Sequence, residues 1–325
     1  MLQRLLLVVL LSVALLGGGA CQKADVPVAV TPAPVLAPEP KAPSIAGQRV
    51  DFDSLDIDTA TGRPVRLQGL VFSPPDAGNR RLPAVLALHG CGGMYSVLKS
   101  KRDALSMRHQ AMADLLVAEG YIVLFPDSFR SRGVEEICTI ESRRRTITQR
   151  NRLSDTLGAL AWLQRREDVQ PDRIAVLGWS HGGSAVLAGL NAKEAAVAGR
   201  KTAADYFRAG VAFYPGSSDS LQVKPGYFLA APLTLFIAGS DDWTPPGPCV
   251  SLAGRLRDAG EPVEITVYAD TYHGFDAPGS AQQRQRLEVP NGVNPGKGVT
   301  VGSNPAARRD AYARLKQFLS ERIGS

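Results

Sequence analysis

The sequence predicts an α/β fold, a mostly parallel eight-stranded sheet with helices on both faces. Three observations carry this expectation. From residue 49 onward, short runs rich in Val, Ile, Leu and Phe alternate with longer helical segments, the order that builds a sheet covered by helices. The central runs are continuously apolar, as strands buried on both faces must be. Composition agrees, with 325 residues, 44% hydrophobic and 21% charged, which excludes collagen, disorder and a multi-span membrane protein.

Taken in order, strands are expected at residues 50–57, 65–73, 84–89, 121–125, 174–178, 209–214, 233–238 and 263–269. Helices are expected at 104–119, 142–166, 182–197, 247–259 and 307–322. The first two strands have no helix between them and read as an antiparallel hairpin at one edge. Residues 276–306, rich in Gly, Pro, Asn and Gln, read as a long surface loop. It serves either as a rim of the site or as a tolerated insertion.

The N-terminus reads differently. Arg4, an apolar run from Leu5 to Leu16 and the small residues Gly17 to Ala20 precede Cys21, the layout of an export signal. The apolar run falls short of the ~20 residues that span a bilayer. The segment resembles a bacterial lipoprotein signal, which implies lipidation of Cys21 and a membrane-tethered, cell-envelope protein. Gly18 stands where that pattern has leucine, and plain secretion is the alternative. Pro27, Pro32, Pro34, Pro38, Pro40 and Pro43 make the next segment an extended spacer. The expected division is signal peptide 1–20, linker 21–48 and one domain 49–325.

Chemistry concentrates in a few motifs. Gly178, Trp179, Ser180, His181 and Gly182 spell GxSxG between a strand and a helix, the setting that lifts a serine hydroxyl out of a sheet. Ser180 needs a base to attack an ester. Of the four histidines, His89, His109, His181 and His273, only His273 follows both the nucleophile and an acid in chain order. The acid lies past the strand LTLFIA, where Asp241 and Asp242 are adjacent; Asp241 is favoured, with Asp242 capping the turn or the next helix. The run His89-Gly90-Cys91-Gly92-Gly93 lets a loop pass close to a carbonyl, so that Cys91 and His181 supply the oxyanion N–H groups.

Together LHGCGG (88–93), FPDSFRSRG (125–133), GWSHGG (178–183), GSDDWTPP (239–246) and YHGFD (272–276) resemble the α/β-hydrolase superfamily and, within it, dienelactone-hydrolase-like proteins. The resemblance supports Asp241 as the acid and implies a serine hydrolase of carboxylic esters or lactones, needing no metal or organic cofactor. Dienelactone hydrolase itself carries a cysteine nucleophile; Ser180 stands in that place, so dienelactone specificity is not implied. A peptidase or amide hydrolase on the same fold, and a non-catalytic envelope binding protein, are the alternatives.

With Cys21 assigned to lipid and Cys91 to the oxyanion loop, a Cys138–Cys249 disulfide is expected, buried free thiols being the other reading. Arg143, Arg144, Arg145, Arg150 and Arg152 cluster at a helix start and read as a solvated face or an attraction for anionic lipid or an acidic substrate. The formal net charge of +6 is dilute and no aromatics interleave the arginines, so nucleic acid is not an expected partner.

Overall fold

The computed structural model describes residues 44–98, 100, 102–197, 202, 205–224 and 226–324. Cys21, the expected signal segment and most of the linker lie outside the described residues.

Among the described residues ten strands are formed: β1 (Gln48–Ile57), β2 (Pro64–Phe72), β3 (Leu82–Leu88), β4 (Ile122–Asp127), β5 (Val169–Trp179), β6 (Ala209–Phe213), β7 (Leu233–Ala238), β8 (Val263–Tyr268), β9 (Gln282–Arg286) and β10 (Val299–Ser303). Seven helices accompany them: α1 (Met107–Ala118), α2 (Gln149–Gln164), α3 (His181–Gly189), α4 (Ala192–Val197), α5 (Ser218–Val223), α6 (Pro246–Asp258) and α7 (Pro305–Ile323). Eight strands make one sheet in the order β1-β2-β4-β3-β5-β6-β7-β8. β3 to β8 are mutually parallel, while β2 runs antiparallel to both β1 and β4. The expected edge hairpin is therefore present.

Both faces of the sheet are covered. Along β3, Ala84, Leu86 and Leu88 enter one core with residues of α2, α3 and α6. Val85 and Ala87 enter the other with α1 and α7. This two-residue alternation is the pleat of a strand that has no wet side. Truncating a side chain such as Leu86, fully buried, costs about 2–5 kcal/mol. Among the described residues no helix is long and apolar enough to cross a membrane.

Several elements depart from expectation, among them α5, which no expected segment covers. The helix expected from 142 starts at Gln149, because Thr148 and Asn151 exchange side-chain and backbone hydrogen bonds as a capping box and so fix the first turn. The helix expected over 182–197 breaks after Gly189: Asn191 bridges to Leu229 and its side chain accepts from the Lys193 N–H, opening α4 afresh. The loop 276–306 contains the antiparallel pair β9–β10.

The chain enters the domain firmly held. The Ile45 N–H donates to Asp114 Oδ1 (2.9 Å), and Gln110 Nε2 donates to the Ile45 carbonyl (2.9 Å). Gln48, the first residue of β1, pairs with Val71, next to the Phe72 that pairs with Val123 near the start of β4. Entry is thus at the amino edge of the parallel strands.

Candidate active site

Ser180 joins β5 to α3 with φ 53° and ψ −117°, a conformation that costs a non-glycine residue of order 1–3 kcal/mol. The flanking glycines make the turn sterically feasible. A Cβ on Gly178 would meet the Gly182 carbonyl oxygen at 2.4 Å, and one on Gly182 would meet the Leu88 carbonyl oxygen at 2.1 Å. The Ser180 N–H donates to the Phe213 carbonyl (2.9 Å), and the Ser184 N–H to the Ser180 carbonyl (2.9 Å). Helix α3 begins at His181 directly behind the serine, so its N-terminal dipole faces the hydroxyl's side of the sheet.

Asp241 and His273 meet at the same carboxyl edge, past β7 and β8. His273 Nδ1 lies 2.8 Å from Asp241 Oδ2, and both residues are buried. Asp241 Oδ1 accepts the N–H groups of Trp243 (2.9 Å) and Thr244 (2.8 Å). Thr244 Oγ1 sits 3.1 Å from Asp241 Oδ2, from the Tyr214 carbonyl and from His273 Nδ1. The imidazole is flanked by Tyr214 and Trp243, each with its ring centroid at 4.6 Å. A proton on Nδ1, held by this carboxylate, would leave the Nε2 lone pair free.

The neighbouring Asp242 points elsewhere. Its carboxylate accepts the Thr300 N–H (2.7 Å) and hydroxyl (2.8 Å), anchoring β10. That strand lies beside His273 through a Val301 bridge and a Gly302 N–H bond to the His273 carbonyl (3.1 Å). From β9, Arg286 lies over Trp243. The β9–β10 hairpin is therefore a wall beside the histidine, and the Asp242 carboxylate is spent on Thr300 rather than on capping the turn or the next helix.

On the Ser180 side, a Cβ on Gly90 would come within 3.6 Å of the Ser180 Cβ, which puts the His89–Gly93 loop alongside the serine. Here the cysteine pairing is corrected: Cys91 bonds to Cys138 (S–S 2.07 Å), 47 residues away, so the expected Cys138–Cys249 bond does not form. β3 and β4 are sheet neighbours, so the loops leaving their ends meet, and the Ile137 N–H donates to the Cys91 carbonyl (2.8 Å). Cys249 sits in the first turn of α6 behind the sheet, its Sγ 2.9 Å from Ser218 Oγ. The bond engages the Cys91 sulfur and not its amide N–H.

The arginine run also divides. Arg143, Arg144 and Arg150 are exposed, but Arg152 is 1% exposed. Its guanidinium lies 3.1–3.2 Å from both His89 ring nitrogens and donates to the His89 carbonyl (2.7 Å). Arg152 lies on the buried face of α2. Burial and the Arg152 charge hold the His89 imidazole well below its usual pKa, and burial with Arg152 and Arg145 does the same for His181. Both stay neutral, which leaves them without the proton affinity of a base at neutral pH.

One site feature escaped the sequence reading. Asp276, fully buried, accepts hydrogen bonds from Trp179 Nε1 (2.7 Å) and the Tyr214 hydroxyl. Its place in YHGFD is visible in the sequence, but its four-element surroundings depend on the fold.

The fold and this edge define the α/β-hydrolase class. Residues 67–323 match the dienelactone hydrolase family, and the chain belongs to that family. A Bacillus subtilis (strain 168) protein named "Putative hydrolase YtaP" is 34% identical over 119 residues, 34% of this chain and 40% of that protein. The chain thus matches less than half the length of this relative. A Bradyrhizobium sp. protein named "Probable 2-oxo-3-(5-oxofuran-2-ylidene)propanoate lactonase" is 22% identical over 201 residues, 60% of this chain and 74% of that one. Among solved structures, the propionate-bound esterase Est2 of Thermogutta terrifontis superposes with TM-score 0.56 at 14% identity, covering 87% of this chain and 96% of that one. At that identity the likeness is one of fold.

Proposed function

We propose that the protein is a serine hydrolase that cleaves a carboxylic ester or lactone of a small molecule through an acyl-enzyme. The observation that carries the reading is the 2.8 Å contact of His273 Nδ1 with Asp241 Oδ2 at the sheet edge that also bears the strained Ser180. In this reading Ser180 Oγ attacks the carbonyl carbon while His273 Nε2 takes the hydroxyl proton, and Asp241 stabilises the imidazolium. The Cys91 and His181 N–H groups hold the oxyanion, each worth about 3–4 kcal/mol in the transition state. Collapse expels the alkoxide with the proton from His273, and water repeats the sequence on the acyl group. The family match and the relative named as a lactonase support the ester or lactone reading.

Hydrolysis of p-nitrophenyl acetate by wild type and Ser180→Ala tests it. Loss of turnover in the variant is expected, and equal rates would sink the mechanism. A panel of lactones, acyl chain lengths and anilides then ranks the substrate class. Export with lipidation at Cys21 and a spacer leading to the domain complete the proposal. Mass spectrometry of membrane-fraction protein checks it, an unmodified Cys21 being the contrary result.

A further inference from the structure

Behind the reacting edge lies a carboxylate that the chemistry above does not use. Asp276 is three residues past His273 and is fully buried. Four elements converge on it. From the end of β5, the Trp179 indole N–H reaches Oδ2 at 2.7 Å; from the end of β6, the Tyr214 hydroxyl donates to Oδ1. From α1, Arg108 Nε lies 3.3 Å from Oδ1, and from α7 the Tyr312 hydroxyl lies 3.4 Å from Oδ2. Arg108 also donates through Nη2 to the Gly274 carbonyl (3.3 Å), tying the guanidinium to the loop that carries the histidine.

Two of these partners touch the reacting groups. Trp179 is the residue immediately before Ser180. Tyr214 packs its ring on the His273 imidazole at 4.6 Å, sits at φ 35°, and offers its carbonyl to the Thr244 hydroxyl that also contacts Asp241. We propose that Asp276 is a positioning residue, one buried point to which the backbone before the nucleophile and the ring behind the base are both tied. It rests on the reading of Ser180 as nucleophile and His273 as base. Both groups must be held within a fraction of an ångström for proton transfer to accompany attack. No covalent link or direct hydrogen bond from Ser180 to the Asp241 side is needed for this, because the carboxylate spans the two strands.

Asp276→Asn keeps the shape but turns one acceptor oxygen into an NH₂ donor, which must face either the Trp179 N–H or the Tyr214 O–H. The expected result on p-nitrophenyl acetate, per folded protein as measured by circular dichroism, is a kcat lower by about 10- to 100-fold with KM within twofold. Tyr214→Phe, which keeps the ring and loses one hydroxyl, is expected to lose about 3- to 10-fold, an effect absent in the Asp276→Asn background because the hydroxyl acts through that carboxylate. A purely structural Asp276 lowers the melting temperature and leaves kcat of the folded fraction within twofold, and that result overturns the proposal. If Asp276→Asn does not fold, Tyr214→Phe and Trp179→Phe decide, unchanged kcat in both being the overturning outcome. Ser180→Ala is run beside them. Full turnover in that variant overturns the nucleophile reading and this one with it, whereas a silent Asp276→Asn beside an inactive Ser180→Ala overturns the positioning role alone.

Discussion

The two sides of the site are fixed by different physics. The nucleophile side is held by the backbone: a positive φ at Ser180, glycines at 178 and 182 with no room for a Cβ, and a covalent tie from Cys91 to Cys138 across two loops. The histidine side is held by side-chain polarity: Asp241 with two backbone N–H groups, Asp242 with Thr300, and aromatic rings on either face of His273. The first side is sensitive to added volume and to reduction. The second is sensitive to the loss of a single oxygen.

Changes confined to one side sharpen this contrast. The largest effect is expected from Asp241→Asn, which presents a donor where His273 Nδ1 needs an acceptor: kcat falls by about 10⁴-fold with little change in melting temperature, and a loss under tenfold would refute the assignment. Next comes the disulfide. Opening a 47-residue separation removes about 4 kcal/mol in the chain-entropy model, so dithiothreitol lowers the melting temperature of wild type and of Cys249→Ser alike. Indifference to reductant, or a peptide map linking Cys138 to Cys249, would contradict the structure.

A pH effect of about 3 kcal/mol follows, and it belongs to the nucleophile side. Burial lowers the pKa of His109, which packs on Trp179, to about 4, and His89 shifts the same way. Below pH 6.5 the unfolded chain takes up protons that the folded chain refuses, so stability falls as pH drops. His109 alone accounts for on the order of 3 kcal/mol by pH 4, measurable by denaturant melts across that range; a flat profile would mean that these histidines are not held neutral. The smallest effect is Asp242→Ala, which frees β10 from two hydrogen bonds. It costs about 1–2 kcal/mol of stability and changes kcat by less than threefold, in contrast to its neighbour Asp241.

That neighbouring pair also marks where sequence reasoning reaches its limit. The strand from Leu233 to Ala238 was legible to the residue because every side chain is buried and all but Thr234 are apolar, and GxSxG was legible because only glycine fits beside the turn. Asp241 and Asp242 differ by one position on a loop, and only the paths of the loops after β7 and β8 decide which faces His273. β9 was not legible at all. Its sequence QQRQR is mostly exposed and carries no apolar alternation, so its pairing comes from β10 and Asp242 rather than from a core. The cysteine pairing failed for a related reason. The sequence reading reserves Cys91 for the oxyanion loop, a role that needs its amide and not its sulfur, while the adjacency of β3 and β4 brings Cys138 to it.

The entry of the chain at Ile45 has a consequence for orientation. β1 starts at the amino edge of the sheet and Ser180 leaves from the carboxyl edge, so the point of attachment and the nucleophile lie at opposite poles of the domain. If Cys21 is acylated as proposed, the tether joins the domain at the pole away from Ser180, so the anchorage does not lie against the reacting edge.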